Sequence, residues 1–187
     1  MKRYYQNIDI GCDHIVKERL HLVLLGFMGT GKTSTAKELK KIMHLPEVDM
    51  DEYIVRKMGL PISEIFDQYG EGYFRQLETE ALKEVLSSTP KIISTGGGVV
   101  EKKENWQLLN EKAVTVSLFA QVETIAERLK DDRQRPLLAN TEKKQKISQL
   151  LSRRYQLYQQ ANLIIWTDHL TPSQVAEKIA SYYQSQK

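Results

Sequence analysis

The chain has 187 residues, 41% of them hydrophobic and 27% charged, which suits the core of one compact α/β domain and is too short for two. Its net charge of +3 is too mild to argue for nucleic acid, and its single cysteine, Cys12, excludes a disulfide framework within the chain. No apolar stretch approaches the ~18 residues that span a bilayer, and the N-terminus lacks the apolar centre of a signal peptide, so a cytoplasmic protein off the membrane is expected.

Residues 1–20 are polar and read as an extension ahead of a single domain at 21–187. Leu22–Leu25 is a short apolar run that meets Gly26, the pattern of a buried strand ending at a turn. Helical spacing follows from Ser34 to Met43 through Ala36, Leu39 and Met43. Glu47–Asp49 reads as a short strand, and Asp51–Met58 as a helix closed by Gly59. Ile62–Tyr69 and Glu71–Leu86 read as two helices split at Gly70. Lys91–Thr95 is strand-like and runs into Gly96, Gly97 and Gly98. Ala113–Phe119 is β-branched and is the clearest strand. A helix from Val122 to Leu129, a charged loop from Lys130 to Asn140 and a long helix from Lys143 to Gln160 come next. Leu163–Trp166 is the last strand, and Thr171 caps a final helix with Pro172 at its first position. Strands alternating with helices of this length imply crossover connections and a parallel sheet covered on both faces.

The sharpest local signal is GFMGTGKT, Gly26 to Thr33, placed between a strand and a helix. Its glycines let successive amides face inward as an anion nest, and the next helix adds its own unpaired N–H groups. Lys32 is expected to reach the outer phosphates of a nucleoside triphosphate, and the Thr33 hydroxyl to ligate Mg²⁺. Asp49 and Asp51 follow; off an extended segment both would point into one cleft. One carboxylate suits a metal and the other a substrate hydroxyl, although Asp51 also suits a plain helix cap. Arg75 and Glu78 are three apart on one helical face, which suits a guanidinium held for a carboxylate as well as a surface ion pair. Arg153 and Arg154 lie on another helix and can meet the same anion. The three glycines admit a close ligand or merely a flexible turn. The cation-rich stretch from Arg128 to Leu138 ends in an apolar anchor, which suits a lid carrying Arg135 to a transferring phosphoryl group.

These motifs, in this order, resemble the shikimate kinase family from about His21 onward: GFMGTGKT, Asp49/Asp51, FRxxE at Phe74–Glu78, Gly96–Gly98, RPLL at Arg135–Leu138 and RxxxY at Arg154–Tyr158. The resemblance implies a three-layer α/β/α fold with a five-stranded parallel sheet in the order 2-3-1-4-5. It also implies a helical acceptor-binding part at about 50–90 and a mobile lid at about 130–142. The reaction implied is transfer of the ATP γ-phosphoryl group to the 3-hydroxyl of shikimate, on the route to aromatic amino acids; a monomer is expected. Gly29, Thr30, Gly31, Lys32, Thr33, Ser34, Arg128 and Arg135 would then bind ATP. Thr33, and Asp49 through water, would hold Mg²⁺. Asp51, Lys32 and Arg135 would be catalytic. Asp51, Arg75 and Arg154 would bind shikimate, with Glu78 behind Arg75, Gly96, Gly97 and Gly98 lining the pocket, and Phe66 and Phe74 as its apolar wall. Asn162 stands where many members have aspartate, and His169 and Leu170 where many offer an arginine to the adenine. Other P-loop kinases, acting on gluconate or nucleoside monophosphates, and a non-catalytic relative are the competing expectations.

Overall fold

β1, His21–Gly26, is buried along its whole length and stands at the centre of the sheet. The computed structural model describes residues 20–130 and 141–186. Cys12, the N-terminal extension before Leu20, and most of the expected lid, including Arg135, lie outside the described residues. The remaining strands are β2 (Glu47–Asp49), β3 (Ile92–Ser94), β4 (Ala113–Phe119) and β5 (Leu163–Trp166). All pairs are parallel and the order is β2-β3-β1-β4-β5, as the family resemblance implies.

Alternation along β1 sorts the two cores. Val23 and Leu25 face a cluster built with α2 (Met50–Met58), α3 (Ile62–Leu86), α4 (Lys103–Lys112), α5 (Val122–Arg128) and α6 (Thr141–Tyr158). Leu22 and Leu24 face the other side, where Ala36 and Leu39 of α1 (Lys32–Met43) meet Val175, Ala176 and Ile179 of α7 (Pro172–Ser185). Helices on both faces of a parallel sheet satisfy its hydrophobic strands, each fully buried Leu or Ile contributing about 1.5–3 kcal/mol.

Local punctuation behaves as the residue types dictate. Gly59 ends α2 at φ 68°, a left-handed conformation that needs no Cβ. Gly70, at φ 79° and ψ 168°, breaks α3 into the two expected segments without a loop. Thr171 caps α7 in a capping box with Gln174, and Pro172 opens the helix. Three boundaries differ from expectation. α1 begins at Lys32, so Lys32 and Thr33 belong to its first turn. α2 begins at Met50, directly after β2, so Asp49 and Asp51 do not share one extended segment. The region after the glycines holds a short 3₁₀ turn, Val99–Glu101, and α4, neither expected; α4 buries only Asn105, Trp106 and Leu109 among charged neighbours, too thin a stripe to read.

Candidate active site

The phosphate loop follows the carboxyl end of β1, where parallel sheets place ligands. Gly26, Gly29 and Gly31 take φ values of 139°, 78° and 95°, which turn the backbone so that it curls ahead of α1. A Cβ on Gly26 would lie 2.4 Å from the Leu118 carbonyl oxygen, so the loop's first position has no room for any other residue. Lys32 is buried, and its Nζ donates to the carbonyls of Gly26 at 2.8 Å and Phe27 at 2.9 Å. Thr30 is buried, and Ser34 lies exposed in the first turn of α1.

Asp49 ends β2 and caps α2. Its Oδ1 accepts from the amides of Asp51 at 3.0 Å and Glu52 at 3.4 Å, while its Oδ2 accepts from the Thr33 hydroxyl at 3.0 Å. The capping role that the sequence allowed to Asp51 therefore belongs to Asp49. Asp51, inside the helix, is left with its carboxylate directed toward Gly96.

The glycine triplet is where the remaining groups meet. A Cβ on Gly96 would lie 2.6 Å from Glu78 Oε1 and 2.9 Å from Asp51 Oδ1. On Gly97 it would lie 3.3 Å from Tyr158 Oη, 3.5 Å from an Arg154 nitrogen and 3.6 Å from the Gly26 carbonyl oxygen. On Gly98 it would overlap the Arg75 guanidinium, at 2.0 Å from Nη1. Four charged side chains from three helices thus converge on three residues, beside the carbonyl that also receives Lys32.

Arg75 is held on several sides. Its Nη1 donates to Glu78 at 2.5 Å and its Nη2 to Glu71 at 2.9 Å, and its Cζ stands 5.5 Å from the centroid of the Phe74 ring. Burial works against the cation, but Glu78 and Glu71 outweigh it and keep Arg75 charged. Burial pushes the Glu78 carboxyl above the ordinary range, against the pull of Arg75. Glu78 Oε1 is buried with no hydrogen-bond partner among the described residues. Phe66 packs on Phe74 with ring centroids 4.7 Å apart, forming an apolar face next to Arg75. Of the two adjacent arginines on α6, Arg154 is buried and turned inward, and Arg153 is exposed. Arg154 Nε donates to Glu101 at 3.1 Å. Tyr158, one turn on, donates its hydroxyl to the Gly97 carbonyl at 2.6 Å; burial pushes its ionisation up, though the Arg154 cation pulls the other way.

On the far side of the phosphate loop, Arg128 donates to the Gly29 carbonyl at 3.2 Å and to Thr167 through its hydroxyl at 3.0 Å and its carbonyl at 2.8 Å. Next to it an open cleft of about 480 Å³ is lined by Thr124, Asp168, His169 and Leu170 with Gln121, Glu123 and Trp166. Asn162 accepts from the amide and hydroxyl of Thr115, both at 2.8 Å, so it ties β4 to β5 and stands away from the charged cluster.

Sequence reading missed Glu71 and Glu101. Glu71 stands four residues before Arg75 on the same face, a spacing that signals an ion pair. Glu101 carries no such signal, because its partners lie on α3 and α6.

Three comparisons bear on this arrangement. Residues 28–184 match the family model described as shikimate kinase. The chain is 43% identical over 164 residues to the shikimate kinase of Thermodesulfovibrio yellowstonii, covering 88% of this chain and 95% of that one. Against the shikimate kinase of Caldicellulosiruptor bescii it is 42% identical over 163 residues, covering 87% and 95%. Among solved structures, the shikimate kinase from Acinetobacter baumannii in complex with shikimate superposes with a TM-score of 0.84 at 34% identity, covering 90% of this chain and 94% of that one. With matches of this extent and a charged cluster assembled around its glycine triplet, the chain belongs to the shikimate kinase family.

Proposed function

We propose that this protein transfers the γ-phosphoryl group of ATP to the 3-hydroxyl of shikimate, releasing ADP and shikimate 3-phosphate. The observation that carries the reading is the triplet Gly96–Gly98, against which Asp51, Glu78, Arg75 and Arg154 all pack. A small hydroxylated acid needs such a set: two guanidiniums for its carboxylate, one carboxylate for its hydroxyl, and backbone without side chains in between.

In this reading the loop amides and Lys32 bind and orient the triphosphate, and Ser34 extends the loop. Arg75 and Arg154 grip the acid group, Phe66 and Phe74 wall the ring, and Glu78 fixes Arg75. Asp51 accepts a hydrogen bond from the 3-hydroxyl and takes its proton as the new O–P bond forms and the bond to the β-phosphate oxygen breaks. Lys32 and Arg135 offset the charge that develops on the transferring group. Arg128 braces Gly29 and borders the base, with His169 and Leu170 alongside. Hard oxygen donors suit Mg²⁺, and the Thr33 hydroxyl and Asp49 carboxylate, 3.0 Å apart, are the residues that would hold it, Asp49 through water. When bound, Mg²⁺ neutralises charge on the phosphates.

The same reading treats 21–187 as one kinase domain with its acceptor part at about 50–90 and a lid at about 130–142. It takes the enzyme to be a cytoplasmic monomer. No described helix is long and apolar enough to cross a membrane.

The test is a coupled assay for ADP with shikimate, gluconate and nucleoside monophosphates as acceptors. Turnover of shikimate in preference to the others is expected. Turnover of another acceptor alone, or binding of both ligands without turnover, would overturn the assignment.

A further inference from the structure

Two arginines that must share one anion repel each other, and something has to hold them at a fixed separation. Glu78 and Glu71 make their close ion pairs with Arg75, and Glu78 acts on Arg154 only at longer range. Among the described residues, Glu101 is the carboxylate in ion-pair range of both: its Oε1 accepts from Arg154 Nε at 3.1 Å, and its Oε2 lies 3.7 Å from Arg75 Nε. That Nε is buried and makes no hydrogen bond among the described residues.

Glu101 is itself well placed to act as a fixed point. It ends the 3₁₀ turn that follows the triplet, and its amide donates to the Gly98 carbonyl at 3.0 Å. The preceding carbonyls are pinned from α4: Asn105 Nδ2 donates to Val99 at 2.8 Å and Trp106 Nε1 to Val100 at 3.0 Å. Val99 and Val100 are buried, and the Glu101 side chain is 28% exposed. A short, braced turn therefore delivers one carboxylate between α3 and α6.

We infer that Glu101 is a positioning residue of the acid clamp, tying Arg154 to Arg75 by their Nε edges and so setting the spacing and direction of the two guanidiniums. It occupies the edge of each guanidinium that faces the turn, which leaves the substrate's acid group to be met by the terminal nitrogens. This rests on the proposed acid-binding role of Arg75 and Arg154.

The test measures shikimate Kd by calorimetry, and kcat and KM for both substrates, on E101A and E101Q. Loss of one charge-assisted hydrogen bond and its orienting effect should raise shikimate Kd and KM by about tenfold in E101A, with kcat and ATP KM within about twofold of wild type. E101Q should recover part of the loss, because its carbonyl still accepts from Arg154 Nε while its NH₂ meets the Arg75 donor. In a cycle with Arg154→Ala, the E101A effect should largely vanish. A lower shikimate KM in E101A would mean that Glu101 competes with the acid, and would overturn the inference. So would equal effects on both substrates, or additivity in the cycle. Wild type that binds no shikimate would refute the proposed activity together with the clamp, whereas binding unchanged by E101A would refute the role of Glu101 alone.

Discussion

Gly98→Ala isolates the link between the triplet and the clamp. Gly98 has φ −93° and ψ −7°, which alanine adopts without strain, so any effect comes from the methyl group. That methyl would stand 2.0 Å from Arg75 Nη1, 2.3 Å from Cζ and 2.7 Å from Nη2. The guanidinium is the far end of a flexible side chain and can move, so the fold survives. Moving it breaks the buried pair with Glu78, and the cation then leans on the exposed Glu71. We expect a stability loss of about 1–2 kcal/mol, each kcal/mol lowering Tm by about 2–4 °C in a chain of this size. Shikimate binding loses a charge-assisted contact of about 2 kcal/mol, a roughly thirtyfold higher Kd. Calorimetry with shikimate reads the effect, and the ATP KM, which should not change, serves as internal control. On an Arg75→Ala background, which itself weakens shikimate binding, the added methyl has nothing to strike and should cost little more. A folded Gly98→Ala protein with shikimate Kd within about twofold of wild type would refute the reasoning.

Asp51→Asn should lower kcat by about 10²-fold or more with ATP affinity nearly unchanged, because the lost group acts on the acceptor; single-turnover kinetics with both substrates bound would check it. Tyr158→Phe removes the hydroxyl that holds the Gly97 carbonyl at 2.6 Å, and denaturant unfolding should show a loss of about 1 kcal/mol, with a higher shikimate KM. His21 is buried, and burial lowers its pKa below the ordinary 6.5, with Lys91 adding to this and the Ser88 carbonyl opposing it. The folded protein thus holds the proton less well than the unfolded chain. The stability that comes from neutral His21 is present above the unfolded value and is lost as pH falls through that window. A Tm series on His21→Gln should be flatter there than wild type.

Whatever is contiguous in the chain could be read directly. GFMGTGKT carries its own geometry, since its glycines must curl the backbone and the strand before it is plainly apolar. Gly59, Gly70 and Thr171 marked their helix ends for the same reason: each acts on its own backbone. What escaped depended on contacts between distant segments. The boundary between β2 and α2 falls between Asp49 and Met50 with no loop residue to announce it, so the sequence leaves the cap open to Asp51 as the alternative to a site role. Of Arg153 and Arg154 only packing of α6 decides which turns inward. The individual partners of Gly96, Gly97 and Gly98 come from α2, α3 and α6, and no spacing in the sequence encodes such a meeting.

Asp49 divides one side chain between two duties, with one oxygen on the start of α2 and the other on the Thr33 hydroxyl. The phosphate side and the helix that carries Asp51 are therefore fastened to the same pin. A shift of Thr33 is passed to the backbone amide of Asp51 through a single carboxylate. Redesigning the acceptor preference of this scaffold by altering Asp49 would disturb nucleotide and acceptor alike, whereas Phe66 and Phe74, packed on each other on α3, lie outside that set of hydrogen bonds and are the better place to begin.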